Sequence, residues 1–272
     1  MKSFRGQPDF FAPSRPGERQ AELTVKNLSL RWEGVSALNN IDLLIRTGEI
    51  VALIGPKGAG KTSLIDCITG AKIPQEGQIR FNDEDITGRE PHLIAQLGIS
   101  RTCQETHIFP EMTVLSNLLL ARHPFYSYNI FQACFFSSRV RYNETRNRGM
   151  AELLIDLFKL QYVRKCLAGS LSYGMSKRLE IAMALAMEPR ILILDDPFTG
   201  VSHEEVEDIK RILLELNETR NITMVLAEDD ISDAVNISKR VVVLDFGIKL
   251  AEGSPDFIGN HPKVTKIYPA EE

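Results

Sequence analysis

Long apolar runs are missing from this sequence. No stretch approaches the ~18 consecutive apolar residues of a membrane-spanning helix, and nothing at the start is typical of a signal peptide. We therefore expect any membrane role of the chain to come through a partner protein.

Cysteine is scarce as well, with four residues scattered through 272 and no spacing typical of a metal site. This pattern predicts reduced thiols rather than a disulfide framework. The formal net charge is −4, and binding to a phosphate backbone needs clustered Lys and Arg, so we expect no nucleic-acid partner. With 43% hydrophobic residues, the chain can bury a large core, either as one α/β domain or as a core with a smaller subdomain.

The most informative segment present is residues 55–63, GPKGAGKTS, which fills every fixed position of the pattern G-x-x-x-x-G-K-[ST]. In such a loop the glycines let backbone N–H groups surround phosphates, and Lys61 neutralises the β and γ oxygens. The Thr62 hydroxyl then ligates Mg²⁺ at a helix N-terminus. The predicted nucleotide-binding residues of this loop are Gly55, Pro56, Lys57, Gly58, Ala59, Gly60, Lys61, Thr62 and Ser63.

The segments on both sides support this interpretation. Residues 49–54 are typical of a buried parallel strand, and residues 64–69 are typical of a helix that ends at Gly70. The alternative, a chance Gly-rich turn, explains neither flank.

The remaining pattern predicts an α/β chain. Residues 1–20, rich in Pro, Gly, Arg and Gln, predict a flexible tail before a folded unit at 21–272. Alternating apolar residues predict half-buried strands early in the chain, and apolar residues at helical spacing predict a helical subdomain at about 105–170. Further apolar strands separated by helices predict a parallel sheet. The predicted strands are 23–30, 41–45, 78–81, 191–194, 222–226 and 241–244.

Two carboxylates follow the first of the later strands, at Asp195 and Asp196. Open α/β sheets bind ligands beyond the carboxyl ends of their strands, so Asp195 is a candidate ligand of Mg²⁺. The alternative is that both acids only cap the turn at Pro197.

Residues 171–180, LSYGMSKRLE, precede a helical run and lie about twenty residues before Asp195. They resemble the signature of the ABC ATPases, usually written LSGGQ. An N-cap-like Ser172, a close-approach Gly174 and a helix start form an anion site, which in that family serves the γ-phosphate held by the opposite subunit. The predicted signature residues are Ser172, Tyr173, Gly174 and Met175.

The resemblance to ABC transporter ATP-binding subunits covers nearly the whole chain after residue 20. It implies a RecA-like P-loop ATPase core with an antiparallel β layer and a helical subdomain, and it implies ATP and Mg²⁺ as cofactors. Gln104 is similar to the family's Q-loop glutamine, which contacts Mg²⁺ and the attacking water, and residues 199–202 resemble the loop that crosses the dimer interface. Trp32 stands where the family stacks an aromatic ring on adenine, with ordinary core packing as the alternative.

Within the family, the ATP-binding subunits of branched-chain amino-acid importers are the most similar. The supporting segments are 54–56, 101–104, 109–114, 171–180, an insertion at about 124–143 and a tail that ends near Tyr268. The resemblance implies transmembrane permease subunits, a second ATP-binding subunit and, indirectly, a substrate-binding protein as partners. It also implies a peripheral location on the cytoplasmic face of the cell membrane.

Two residues depart from the family pattern. Asp196 replaces the glutamate that polarises the attacking water, and the missing methylene retracts the carboxylate by about 1 Å, a misplacement that can cost about a hundredfold in rate. Asp229 replaces the switch histidine, which puts a negative charge where a donor normally meets the γ-phosphate. The alternative for Asp229 is that it turns to solvent and hydrolysis is merely slow.

The expected function is therefore an ATP-binding subunit of an ABC importer, with Asp196, Gln104 and Asp229 as catalytic residues and Thr62, Gln104 and Asp195 at the metal. The alternative is a catalytically attenuated or regulatory subunit whose partner performs most of the hydrolysis. A heterodimer is favoured and a homodimer stays open. A soluble ABC protein of translation or DNA repair is disfavoured, because the sequence has one phosphate loop and no long coiled-coil insertion.

Overall fold

A computed structural model describes residues 22–32, 34–103, 107–126, 138–229 and 232–268. The predicted tail at 1–20, Gln104 and much of the insertion at 124–143 lie outside the described residues. The backbone of Trp32 is described, but its side chain is not. The predictions made for these residues therefore remain predictions.

The described strands form two sheets, a four-stranded sheet in the order β2-β1-β4-β5 and a six-stranded sheet in the order β10-β9-β3-β8-β7-β6. The strands are β1 (Leu23–Trp32), β2 (Val35–Ile45), β3 (Ile50–Ile54), β4 (Glu76–Phe81), β5 (Glu84–Asp85), β6 (Ile99–Arg101), β7 (Ile191–Asp195), β8 (Thr223–Glu228), β9 (Arg240–Asp245) and β10 (Ile248–Gly253).

The smaller sheet is antiparallel throughout, as the family resemblance implies, and its first two strands lie where alternation predicts half-buried strands. Leu23 pairs with Ile45 on one side of β1 and with Phe81 on the other. Buried and exposed positions alternate along much of β2, because one face of this sheet packs on the core and the other meets water.

The larger sheet is parallel except for its edge strand β10, which pairs antiparallel with β9. Every residue of β3, β7 and β8 is buried, as expected for parallel strands that are covered on both faces. Ile54 at the end of β3 lies opposite Glu228 at the end of β8, and Asp195 at the end of β7 lies opposite Ala227. This register brings the segments that follow β3, β7 and β8 to one edge of the sheet.

Helices cover the sheets. They are α1 (Lys61–Ile68), α2 (Pro91–Leu97), α3 (Val114–Ala121), α4 (Ser138–Leu157), α5 (Tyr173–Ala186), α6 (His203–Arg220), α7 (Ser232–Ile237), α8 (Pro255–Gly259) and α9 (Val264–Ile267). Helices α3, α4 and α5 contact one another. In the part of the chain that the structure describes, no helix combines the length and the apolar character that crossing a membrane requires.

The period-two geometry of β3 divides the core into two clusters. Ile50, Ala52 and Ile54 join the cluster formed with the helices α3 to α6, whereas Val51 and Leu53 join the cluster shared with α1 and the antiparallel sheet. The six-stranded sheet therefore lies between two apolar layers, and the turns at its carboxyl edge are held from both sides.

Candidate nucleotide-binding site

The predicted phosphate loop connects β3 to α1, and glycine is required along its path. Gly60 is the N-cap of α1 with a φ of 104°, a left-handed conformation that disfavours other residues. A Cβ at Gly60 would lie 2.7 Å from the Ala37 carbonyl oxygen, and a Cβ at Gly55 would lie 2.4 Å from the Leu244 carbonyl oxygen. The loop therefore lies directly against neighbouring backbone, and a side chain at either position would displace it.

Lys61, the first residue of α1, turns its ammonium group back into the loop. Its Nζ donates to the Gly55 carbonyl oxygen at 2.6 Å and lies 3.4 Å from the Pro56 carbonyl oxygen. Nζ also lies 2.6 Å from Oδ1 of Asp229. The Lys61 side chain is buried at 6% exposure, whereas the Asp229 side chain is 45% exposed. The Asp229 side chain thus contacts Lys61 and is partly exposed to solvent, and its predicted catalytic role stays a prediction.

Asp195 ends β7 with 1% exposure, and its backbone N–H donates to the Thr102 hydroxyl at 3.1 Å. The Thr62 hydroxyl hydrogen-bonds to the Asp195 carboxyl group. Oδ1 of Asp195 is buried and has no hydrogen-bond partner among the described residues. Burial, and after it the charge of Asp196, raises the pKa of Asp195 to about 6.

The pair Thr62 and Asp195 fits Mg²⁺. This ion prefers oxygen ligands and usually takes only one or two protein carboxylates, keeping waters and substrate phosphates for its other positions. The described ranges contain no group of three or more His, Cys, Asp or Glu arranged to hold a metal. A buried carboxylate oxygen without a partner, next to a hydroxyl group, is the donor set that such an ion needs.

Asp196 occupies the turn after β7 with a φ of 50°, and its backbone N–H donates to the Ala227 carbonyl oxygen at 2.9 Å. Left-handed backbone is uncommon for residues other than glycine and is tolerated better by Asp than by most. Asp196 as a whole is 6% exposed. The fold therefore holds this carboxylate inside the site, beside Asp195.

Glu228, at the end of β8, is a site residue to which the sequence reasoning assigned no role. Its Oε1 accepts from the Phe198 backbone N–H at 3.0 Å, and its Oε2 from the Thr199 hydroxyl at 3.5 Å. Burial, together with the nearby charges of Asp196 and Asp229, raises the pKa of Glu228 to about 8, although the hydrogen bond from the Phe198 backbone lowers it in part. Its position as an acid at the end of a buried strand, next to Asp229, was the signal available in the sequence.

The signature segment begins α5. Ser172 is its N-cap, with the hydroxyl accepting from the Met175 backbone N–H at 3.4 Å. A Cβ at Gly174 would lie 2.4 Å from Oε1 of Glu205, whose other oxygen accepts from the Ser202 hydroxyl at 2.7 Å. The signature therefore packs on the residues that start α6. Together, Ser172, Gly174 and Glu205 form a cluster that does not include Lys61.

Glu180 on the same helix holds both residues that flank positions 104–106. Its carboxylate accepts from the Cys103 backbone N–H at 3.0 Å and from the backbone of His107. Its side chain is 6% exposed, and burial raises the pKa of Glu180. Sequence periodicity assigns Glu180 to a helix but does not indicate these contacts.

Tyr268, which follows α9, makes a further contact that the sequence did not predict. Its hydroxyl donates to the backbone carbonyl oxygen of Asp229 at 2.9 Å. The end of the described chain is thus connected to the residue that pairs with Lys61.

Comparison with known proteins shows which family shares this sequence and this site. A family model described as ABC transporter matches residues 38–199. The high-affinity branched-chain amino acid transport ATP-binding protein BraF of Pseudomonas aeruginosa is 36% identical over 92% of this chain and 98% of its own length.

Solved structures agree. An ATP-binding cassette of an ABC transporter in its ADP conformation superposes with a TM-score of 0.76 at 30% identity, covering 93% of this chain and 99% of the other. A dimeric cassette in a post-hydrolysis state with ADP and Pi gives a TM-score of 0.74 at 26% identity over 86% of this chain and 98% of its own. The chain therefore belongs to the ABC transporter family and has the RecA-like P-loop fold of its ATP-binding cassettes.

Proposed function

We propose that this chain is the ATP-binding subunit of an ABC importer and couples ATP binding and hydrolysis to the uptake of a small solute, with branched-chain amino acids as the substrate class. The observation that carries the proposal is the convergence of the phosphate loop, the Thr62–Asp195 pair and Asp196 at one edge of a parallel sheet. The substrate class is supported by the similarity to BraF over nearly the full length of both chains.

In this proposal each residue has a distinct task. The backbone N–H groups of residues 55–63 hold the phosphates, and Lys61 neutralises the β and γ oxygens. Thr62 and Asp195, with Gln104 by resemblance, would hold Mg²⁺, which supplies charge neutralisation on the phosphate oxygens. Asp196 polarises the attacking water.

Two further groups complete the ATP site. The Trp32 ring stacks on the adenine base. Ser172 and Gly174 present the N-terminus of α5 to the nucleotide of a second ATP-binding subunit, as helix N-termini bind phosphate.

The partners follow from this arrangement. The dimeric relative supports two ATP-binding subunits working together, and permease subunits in the membrane would place the pair at the cytoplasmic face as peripheral proteins. A substrate-binding protein would act through the permease. We favour a heterodimer, because this chain's own hydrolytic residues depart from the family pattern while its signature helix keeps an N-cap Ser172 and a close-packed Gly174.

The second candidate is an attenuated subunit that binds ATP and leaves most hydrolysis to its partner. The ion pair between Lys61 and Asp229 favours it, since a carboxylate faces the ammonium group that the γ-phosphate needs. The shorter side chain of Asp196 also favours attenuation, because it places the carboxylate further from the attacking water.

The test is purification of the native complex, identification of the co-purifying subunits, and steady-state ATPase with and without them. Recovery with permease subunits, together with uptake of labelled leucine that depends on this chain, is the expected result. Recovery with ribosomes or DNA-repair proteins would contradict the importer proposal. Strong ATPase by this chain alone would contradict attenuation.

A further inference from the structure

The end of the described chain reaches the phosphate site. Helix α9 ends at Ile267, and the next residue, the half-buried Tyr268, donates its hydroxyl proton to the main-chain carbonyl oxygen of Asp229 at 2.9 Å. The carboxylate of the same Asp229 lies 2.6 Å from Lys61 Nζ. Asp229 is therefore held at its main chain by Tyr268 and at its side chain by Lys61 of the phosphate loop.

The main-chain position of Asp229 decides where its carboxylate lies. An aspartate side chain has a single sp³ torsion that moves the carboxyl group, so a fixed backbone leaves few places for its oxygens. The backbone at Asp229 follows directly from β8, and the Tyr268 hydroxyl is a second point of attachment. Without that hydrogen bond, the carboxylate has more freedom to leave Lys61.

The Lys61–Asp229 contact involves the ammonium group that a phosphate loop uses to bind nucleotide phosphates. A phosphate-loop lysine reaches the β and γ phosphates, and the carboxylate of Asp229 competes for the same ammonium group. The Asp229 carboxylate and a γ-phosphate carry like charges and repel each other when both approach Lys61, and the 45% exposure of the Asp229 side chain moderates that repulsion. A diphosphate lacks the γ group and conflicts less with the carboxylate than a triphosphate does.

We propose that Tyr268 is a positioning residue that keeps the Asp229 carboxylate on Lys61, and that this contact lowers the affinity of the site for a triphosphate relative to a diphosphate. The proposal rests on the proposed function in one respect, that the site binds ATP. It adds a determinant of nucleotide preference that lies in the C-terminal segment.

The test is a double-mutant cycle on the full chain, read as the Kd for ATP and for ADP by calorimetry in excess Mg²⁺. Tyr268→Phe keeps the ring and removes the donor; loss of one hydrogen bond of ordinary strength should tighten ATP binding about fivefold, with a smaller change for ADP. Asp229→Ala should tighten ATP binding at least as much. In the Asp229→Ala background, Tyr268→Phe should have no effect, since no carboxylate remains to be positioned.

Tyr162→Phe is the matched control, because Tyr162 is 97% exposed and its variant should bind both nucleotides as the wild type does. Tyr268→Met, which also lacks a donor, should reproduce the shift if the Phe variant folds poorly, and thermal unfolding checks each protein. An unchanged or weakened ATP affinity in Tyr268→Phe overturns the proposal. An equal shift in both backgrounds does so as well, since it assigns Tyr268 a purely structural role. If neither wild type nor Asp229→Ala binds ATP, the proposed function fails instead.

Discussion

Lys61 and Asp229 are 168 positions apart in the sequence and form an ion pair of 2.6 Å at the carboxyl edge of the parallel sheet. The contact exists because β3 and β8 are neighbours in register, so that the segments after Ile54 and Glu228 emerge side by side. Lys61, which supplies the positive charge of the phosphate loop, is thereby paired with a carboxylate of the same chain. A bound nucleotide would have to share Lys61 with Asp229.

The first prediction concerns ATP binding. Lys61→Ala should abolish tight binding of Mg-ATP, because it removes the buried ammonium group that neutralises the β and γ oxygens. In the wild type, titration with ATP should change the emission of Trp32, the single tryptophan of the chain. An emission spectrum unaltered at saturating ATP would remove Trp32 from the site. Lys72→Ala is the control, since Lys72 pairs with Asp66 outside the phosphate loop.

The second prediction concerns the rate of hydrolysis. Asp196→Glu combined with Asp229→His should raise single-turnover hydrolysis, because the longer carboxylate reaches further toward the water and the histidine replaces a repelling charge with a donor. Either change alone should do less, as residues that act as a unit are not additive. Rapid-quench measurement of a single turnover compares the hydrolysis rates of the wild type and the three variants. A wild type as fast as the double variant would refute attenuation.

Much of the fold was predictable from local pattern. Strand β7, with five consecutive buried residues, and the phosphate loop after β3 are encoded by apolar runs next to Gly or Asp. Alternation predicted half-buried strands at 23–30 and 41–45, whereas the antiparallel layer was implied by the family resemblance. The structure extends β1 to Trp32 and begins β2 six residues earlier, at Val35.

What the sequence could not provide were contacts between distant segments. The hydrogen bond from Tyr268 to Asp229 spans 39 positions and that from Cys103 to Glu180 spans 77, and neither has a local signature. For Asp229, resemblance predicted a repelling charge near the γ-phosphate but not the ion pair with Lys61. Side-chain partners depend on how strands and helices pack, which periodicity alone does not specify.

The third prediction concerns pH and stability. The pKa of Glu228 is raised to about 8 from its ordinary value of 4.5, so between those pH values the folded protein keeps a proton that the unfolded chain releases. The free energy of unfolding should therefore fall as the pH rises through this window, with a slope of at most about 1.4 kcal/mol per pH unit from this group.

Glu228→Gln should remove that slope, since the amide oxygen can still accept from the Phe198 backbone N–H but carries no titrating proton. Urea unfolding of both proteins at pH 5, 6, 7 and 8 gives the comparison. The contribution of Asp195, whose pKa is raised to about 6, is present in both proteins and is expected to cancel largely in the difference. A constant difference across the series would show that Glu228 ionises normally.

The last prediction concerns asymmetry between two ATP-binding subunits. In the proposed composite site, this chain's own nucleotide would be served by Lys61, Gln104, Asp195, Asp196 and Asp229. The nucleotide of the partner would be served by Ser172 and Gly174. The first group is altered by Asp196 and Asp229, whereas the second keeps its N-cap and its tightly packed glycine, with Met175 in place of glutamine as its visible change. This difference suits a heterodimer in which the partner supplies an intact glutamate and histidine and uses this chain's signature.

In the purified complex, Ser172→Arg should stop most ATP hydrolysis, because a bulky cation replaces the N-cap that orders the start of α5. Asp196→Asn should hardly change it, since the partner's site performs the turnover. Ser170→Arg is the matched control, because Ser170 lies just before the signature and its hydroxyl donates to the nearby Leu167 carbonyl oxygen. Two copies of this chain with no other ATPase in the complex, or loss of transport in Asp196→Asn, would show that the subunits share the work equally and would rule out the asymmetric arrangement.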